Sequence, residues 1–145
     1  MPAVYTAAHL SLAVLEILVH VSAEEDLPVD LVAISADLPD ELDLERVRLA
    51  DLPADWRRTP APPALPDLGA KWLAAARTAV LAVPSAVIPA ETNYILNPAH
   101  PDFRRIVVRR AQRFDLDSRL ARAGAASPVQ LSTRRALRRS RSRRG

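Results

Sequence analysis

The stretch that decides the fold is TAVLAVPSAVIPAETNYILNPAHP, residues 78–101. It begins with a short apolar run, residues 78–83, which is bounded by a proline and is therefore typical of a buried β-strand. A proline-bounded turn follows, and residues 93–96 (NYIL) then predict a second short strand, which ends at Asn97 before another proline. The stretch thus predicts two strands, with Ser85 placed just after the first of them.

The segments around this stretch alternate irregularly between strand and helix patterns. Residues 7–21 carry apolar side chains at nearly every helical angle, which predicts a helix buried on most sides. A second helix is predicted at residues 68–77, with Asp67 as its N-cap, and the prolines of residues 52–66 predict a surface connection. Further strands are predicted at residues 3–6, 29–36, 42–49 and 105–114. This order favours a compact α+β fold, with a sheet and one central helix, over a doubly wound parallel sheet.

Composition narrows the functional classes. The chain has 145 residues, enough for one domain, and contains no cysteine. Disulfides, thiolate catalysis and Cys-ligated zinc are therefore excluded, and a reducing compartment is favoured. No apolar run is long enough to span a membrane, and the N-terminus lacks the basic region of a signal peptide. We therefore expect a cytoplasmic protein without a membrane segment.

Charge divides the chain in two. Residues 1–103 hold six basic and fifteen acidic residues, a net charge of −9, whereas residues 104–145 hold fourteen arginines and two acidic residues, a net charge of +12. After Leu120, a Gly-, Ala-, Ser- and Pro-containing segment precedes seven arginines in the last twelve residues, and this composition cannot bury enough apolar surface to offset chain entropy. We therefore predict a folded domain at residues 1–120 and a disordered arginine-rich tail at residues 121–145.

Two groups of polar residues are candidates for chemistry. On the first predicted helix, His9, Glu16 and His20 lie on one narrow stripe, which either faces solvent or lines a site. Glu16 and His20 have a spacing that could in principle ligate a metal, but a polar stripe on an apolar helix is the simpler interpretation, and we predict no metal site. The second group is the Ser- and Asn-containing loop after residue 83, for which the simplest interpretation is side chains that cap backbone groups.

Several stretches, in the right order, resemble the RES-domain toxins of bacterial toxin–antitoxin systems. Residues 85–101 are similar to the family's C-terminal signature, in which a Ser-x-x-x-Pro segment leads into an Asn-Pro-x-His-Pro run. The other similar stretches are Val4-Tyr5-Thr6-Ala7 with Leu12-Ala13 and Leu15-Glu16, Leu52-Pro53-Ala54-Asp55-Trp56-Arg57 with the helix around Trp72, and Arg113-Phe114-Asp115. The resemblance covers residues 2 to about 120.

The resemblance implies an ADP-ribosyltransferase-like mixed sheet with a buried helix, and an enzyme that depletes NAD by cleaving its nicotinamide–ribose bond. Relatives of this kind transfer the ADP-ribose to water, phosphate or a protein, so the implied enzyme is an NAD glycohydrolase, a phosphorylase or an ADP-ribosyltransferase. The implied catalytic residues are Glu16, Tyr5 and Ser85. Tyr5 would stack on the nicotinamide, Ser85 would hydrogen-bond its amide, and Asn93 would line the same site. NAD is thus expected as a substrate and not as a permanently bound cofactor.

Partners and activity also follow from the resemblance. The implied protein partner is a helix-turn-helix antitoxin of the Xre type. The family's arginine lies upstream of the tyrosine, in an Arg-Trp-Asn-like strand, and residues 1–4 contain none. We therefore expect an N-terminally incomplete sheet and a chain that is inactive or strongly impaired as translated, because losing a bidentate contact to the diphosphate costs on the order of 1.5–3 kcal/mol.

Two alternatives remain open at this point. The first is a catalytically inactive module that still binds an antitoxin. The second is a protein that binds nucleic acid non-specifically through the phosphate contacts of its arginine tail.

Overall fold

A computed structural model of the protein describes residues 2–21, 30–117 and 119–120. Within these residues the chain forms two α-helices, α1 Leu10–Leu18 and α2 Ala64–Ala75. The strands are β1 Val4–Ala7, β2 Val32–Ala33, β3 Ala36–Asp37, β4 Leu44–Arg46, β5 Val80–Pro84, β6 Thr92–Leu96, β7 Val107–Val108 and β8 Gln112–Arg113. The predicted tail, residues 121–145, lies outside the described residues.

The main sheet has four strands in the order β1-β6-β5-β4. β6 runs antiparallel to both β1 and β5, whereas β4 and β5 are parallel. The prediction of an α+β fold with a mixed sheet is therefore confirmed, and both strands expected between residues 78 and 96 are present. Two smaller antiparallel pairs, β2 with β8 and β3 with β7, lie apart from the main sheet.

Each face of the main sheet carries its own hydrophobic cluster, because side chains along a strand alternate between the two faces. On one face, Trp72 of α2 packs with Leu81 and Ile95 of the two central strands. The indole nitrogen of Trp72 also donates a hydrogen bond of 3.1 Å to Thr78 Oγ1, which ties the end of α2 to the segment before β5. The cluster on the opposite face consists of Leu42, Ala79, Val80, Leu96 and Ile106.

The first helix is shorter and more exposed than the sequence predicts. It covers Leu10–Leu18 instead of residues 7–21, and only Leu12 and Val14 are buried. Leu10 is 52% exposed. α1 lies beside the edge strand β1 and borders a cavity on each side. Some of its apolar side chains therefore line a cavity instead of packing in the core.

The predicted cap of the second helix is wrong. α2 begins at Ala64, three residues before Asp67, and its N-cap residue is Pro63 without any side-chain cap hydrogen bond. Pro66 lies within the first turn, where backbone N–H groups have no helical acceptor, so proline is tolerated there. The helix therefore begins inside the proline-rich segment that was expected to be irregular throughout.

The predicted outer strands are fragmented. The segment predicted as a strand at residues 29–36 forms the two-residue strand β2 and the start of β3, and the strand predicted at residues 42–49 is reduced to β4. The segment at residues 105–114 forms β7 and β8, after a 3₁₀ turn at Pro101–Arg105. No helix among the described residues is long and apolar enough to cross a membrane.

Candidate functional site

The turn between β5 and β6 is built around Ser85, which is completely buried. The Ser85 hydroxyl oxygen accepts hydrogen bonds from the backbone N–H groups of Val87, at 3.1 Å, and Ile88, at 3.0 Å. The Ser85 N–H donates to the carbonyl of Glu91 at 2.9 Å, which closes the turn. These local bonds explain why a serine follows directly on the strand.

The same serine reaches across to the first helix. Its hydroxyl donates a hydrogen bond of 2.7 Å to Oε1 of Glu16 on α1. A hydroxyl has one donor and two acceptor sites, and all three are used here within the protein. Ser85 therefore joins the turn after β5 to the carboxylate of Glu16.

Glu16 receives a second hydrogen bond at the same oxygen. Nδ2 of Asn93, on β6, donates to Oε1 at 2.6 Å. Because Ser85 and Asn93 both hold Oε1, the position of the carboxylate is fixed by the turn after β5 and by β6 as well as by its own helix. Oε2 makes no hydrogen bond within the part of the chain that the structure describes.

Glu16 borders a cavity of about 840 Å³ on the Trp72 face of the sheet. Tyr5 pairs with Ile95 across β1 and β6, and Ile95 pairs with Leu81 across β6 and β5, so these three side chains share that face. The cavity lies between this face, α1, α2 and the connection that precedes α2. It is large enough for a small-molecule ligand, for which typical pockets measure about 300–1,000 Å³.

Two of the lining residues have features typical of a binding site. Tyr5 is 76% exposed, so its ring does not have the simplest structural role of a strand aromatic, which is to pack in the core. Asn93 Oδ1 is buried and has no hydrogen-bond partner among the described residues. Leaving such an acceptor unsatisfied costs about 1–3 kcal/mol, and a ligand that donated a hydrogen bond to it would offset this cost.

The structure brings the predicted site residues together, although not in equivalent positions. Tyr5, Glu16 and Asn93 all line the same cavity. Ser85 lies behind Glu16, without lining the cavity, and contacts it through the carboxylate. The site thus consists of three side chains that face the cavity and one that supports the central carboxylate.

The polar stripe on α1 is divided by the fold. His20 lies two residues beyond the end of α1 and lines the cavity together with Glu16. His9 is at the N-cap of α1 and lies 3.7 Å from the carboxylate of Glu91, outside the cavity. Within the described ranges, no three His, Asp or Glu residues are grouped so that they could hold a metal ion.

Sequence reasoning missed Trp56, which lines the cavity from the connection before α2. A signal was present in the sequence, because this tryptophan is the only aromatic residue in the proline-rich segment 52–66. A large apolar side chain in a surface connection needs a place to pack, and here that place is the wall of the cavity.

Residues 97–101, the Asn-Pro-x-His-Pro run, have a structural role. Asn97 is fully buried, and its Oδ1 accepts a hydrogen bond of 3.0 Å from the N–H of Ala99. Nδ1 of His100 accepts one of 3.1 Å from the N–H of Asp102 and caps the 3₁₀ turn. For Asn97 the interpretation as a cap of backbone groups is confirmed, and His100 has the same role without having been predicted to.

Comparison with known proteins gives consistent matches. The RES domain family matches residues 1–117. A protein named "Toxin Res" from Photorhabdus laumondii is 40% identical over 124 residues, which cover 84% of this chain and 78% of that protein. A "Prs ADP-ribosylating toxin" from a Sphingobium species is 36% identical over 121 residues, covering 82% and 74% of the two chains. A "Toxin Res" from Pseudomonas putida is 37% identical over 121 residues, covering 82% and 79%.

Proposed function

This chain belongs to the RES domain family, and from that membership we propose that it is a toxin that cleaves the nicotinamide–ribose bond of NAD. Both the "Toxin Res" relatives and the "Prs ADP-ribosylating toxin" are toxins by name. Release of nicotinamide is the step common to NAD hydrolysis and ADP-ribosyl transfer. The proposal therefore ends at that step and does not depend on the acceptor.

The observation that carries the proposal is the arrangement of Glu16. One carboxylate oxygen is held by Ser85 and Asn93, and the other makes no hydrogen bond within the described residues. Cleavage of an N-glycosidic bond builds positive charge on the ribose ring, and a carboxylate that is already in position stabilises this charge without reorganising. A carboxylate fixed at a cavity is suited to this chemistry.

The other site residues have distinct roles in the proposal. Tyr5 presents an exposed aromatic ring to the cavity and would stack on the nicotinamide. Ser85 has all its hydrogen-bonding capacity occupied, so its role would be to position Glu16 and the turn after β5, instead of binding the amide of the ligand. In this mechanism Ser85 is a positioning residue.

Asn93 would act on both the protein and the ligand. Its Nδ2 positions Glu16, which orients its buried Oδ1 to accept a hydrogen bond from NAD. We expect Asn93→Ala to lower the kcat/KM of nicotinamide release by about 10- to 30-fold, the equivalent of one or two hydrogen bonds. The matched control is Thr92→Ala, on the same strand but pointing to the opposite face, which should change kcat/KM less than twofold. Equal losses in the two variants would contradict the role of Asn93.

The function itself is tested by incubating the purified chain with NAD and separating free nicotinamide by chromatography. If the chain carries out the proposed reaction, free nicotinamide increases with protein concentration and its release stops when the protein is heat-denatured. Binding of NAD is measured in parallel by calorimetry. A folded chain that binds NAD and releases no nicotinamide would refute the proposed reaction and favour the inactive module.

The proposed protein partner is a helix-turn-helix antitoxin. Toxins that consume an essential metabolite require a neutralising partner in the same cell, and a protein that covers the mouth of this cavity would block access to Glu16. We propose the antitoxin as the partner on these grounds, in addition to family membership.

A further inference from the structure

The cavity has a second wall that the proposed reaction does not use. Its polar lining residues come from β1, from α1 and the turn after it, and from β6, namely Tyr5, Glu16, His20 and Asn93. The wall formed by α2 and the connection before it is apolar, with Leu52, Trp56, Leu65, Leu68 and Leu73 among its side chains. One continuous cavity therefore contains a polar region and an apolar region.

Trp56 is held in this wall by an ordered turn. Its backbone N–H donates 3.0 Å to the carbonyl of Pro53, and the N–H of Arg58 donates 2.8 Å to the carbonyl of Asp55. Two successive turns of this kind restrict the backbone on both sides of the indole. Trp56 is half-buried, so part of its ring remains available to a ligand.

The next residue attaches this turn to the turn that supports the carboxylate. Nε of Arg57 donates 2.8 Å to the carbonyl of Ala86, and Nη2 donates 3.5 Å to the carbonyl of Val87. The N–H of Val87 in turn donates to Ser85 Oγ, which holds Glu16. The position of Trp56 is thereby coupled to the polar end of the same cavity.

We propose that Trp56 stacks on the adenine base of NAD and that Arg57 is the positioning residue for this contact. The proposal rests on the proposed function, since it assigns the second half of the same substrate. A dinucleotide has a nicotinamide riboside end, which requires polar contacts near Glu16, and an adenine end, which offers a large aromatic face. An aromatic side chain in an apolar wall is suited to bind the adenine, because two aromatic faces can stack on each other without any hydrogen bond.

The kinetic test compares NAD with nicotinamide mononucleotide, which has the same scissile bond but no adenine. We expect Trp56→Ala to raise the KM for NAD about 10-fold or more, within the range found for loss of one base stack, and to leave kcat/KM for nicotinamide mononucleotide unchanged. Trp56→Phe should retain most of the affinity for NAD. Equal losses on both substrates would show that Trp56 only supports the fold, and no loss on either would show that it contacts no base.

A binding test does not require catalysis. The chain has two tryptophans, and the other, Trp72, is only 4% exposed. In a Trp72→Phe protein the indole fluorescence reports on Trp56 alone, and we expect AMP to quench it in a saturable manner. Absence of quenching would overturn the adenine assignment. Quenching without nicotinamide release from NAD would leave the assignment intact and refute the proposed reaction.

Arg57 is tested with a matched neighbour. Arg57→Ala removes the two bonds to the turn after β5 and should weaken AMP binding by about 3- to 10-fold, no more than the loss of one hydrogen bond, because Arg57 acts only through Trp56. Arg58→Ala removes an adjacent, exposed guanidinium for which the described residues give no side-chain hydrogen bond, and it should leave AMP binding unchanged. If both variants weaken AMP binding equally, the effect comes from the loss of positive charge, and Arg57 does not position Trp56.

Discussion

Glu16→Gln is expected to slow nicotinamide release by about 100- to 1,000-fold, the usual effect of removing one preorganised electrostatic group from an active site. Glutamine has nearly the same shape, and its carbonyl oxygen still accepts hydrogen bonds from Ser85 and Asn93. The substitution therefore removes the negative charge and retains the cluster. The measurement is kcat for nicotinamide release, with NAD affinity and thermal unfolding recorded on the same preparation.

The control for this variant is Glu91→Gln. Glu91 belongs to the β5–β6 turn, and its carboxylate faces His9 outside the cavity. Removing that charge should change kcat less than twofold. If Glu16→Gln retains more than a third of the original rate, the charge of Glu16 is not used in the reaction and the mechanism is wrong.

The largest expected effect on stability comes from Trp72→Ala, which should lower the free energy of unfolding by about 3–5 kcal/mol. Trp72 is 4% exposed and packs on the two central strands. The substitution removes this packing and the hydrogen bond to Thr78. A domain of this size is stable by only about 5–15 kcal/mol, so the variant should lose a large share of its stability. Urea titration followed by circular dichroism measures the change.

Trp56→Ala is the natural comparison for that experiment. It removes the same side chain from a half-buried position at the cavity, where few packed neighbours are lost. We expect a decrease of about 1 kcal/mol or less, typical of a partly exposed site. Similar losses for the two tryptophans would contradict the distinction between a core residue and a cavity residue.

The central strands were predictable because their signals are local. β5 and β6 are short apolar segments bounded by prolines, and both formed close to the expected positions. The outer strands were not predictable in detail, because β2 and β3 exist only through pairing with β8 and β7, seventy or more residues later. Such pairing depends on tertiary structure and leaves little trace in hydrophobic periodicity.

The candidate site was only partly accessible from sequence. The spacing of polar residues on α1 identified Glu16, but it did not indicate whether that stripe faces solvent or a cavity. Resemblance to the family supplied Tyr5, Ser85 and Asn93. The support of Glu16 by Ser85 joins residues sixty-nine positions apart and required the folded structure. Trp56 and Arg57 were noticed as parts of a similar motif, without a role, because their contacts are also long-range.

The distance along the sequence between Glu16 and its two hydrogen-bond donors has a consequence for folding during translation. A nascent chain that has left the ribosome only as far as α2 contains Glu16 but neither Ser85 nor Asn93, so the carboxylate is not yet held. The hydrogen-bonded cluster can form only after β5 and β6 have been made and have paired, since contacts this distant in sequence form late in folding. Translation products that end before β6 therefore cannot assemble this cluster, which first becomes available when the central hairpin closes.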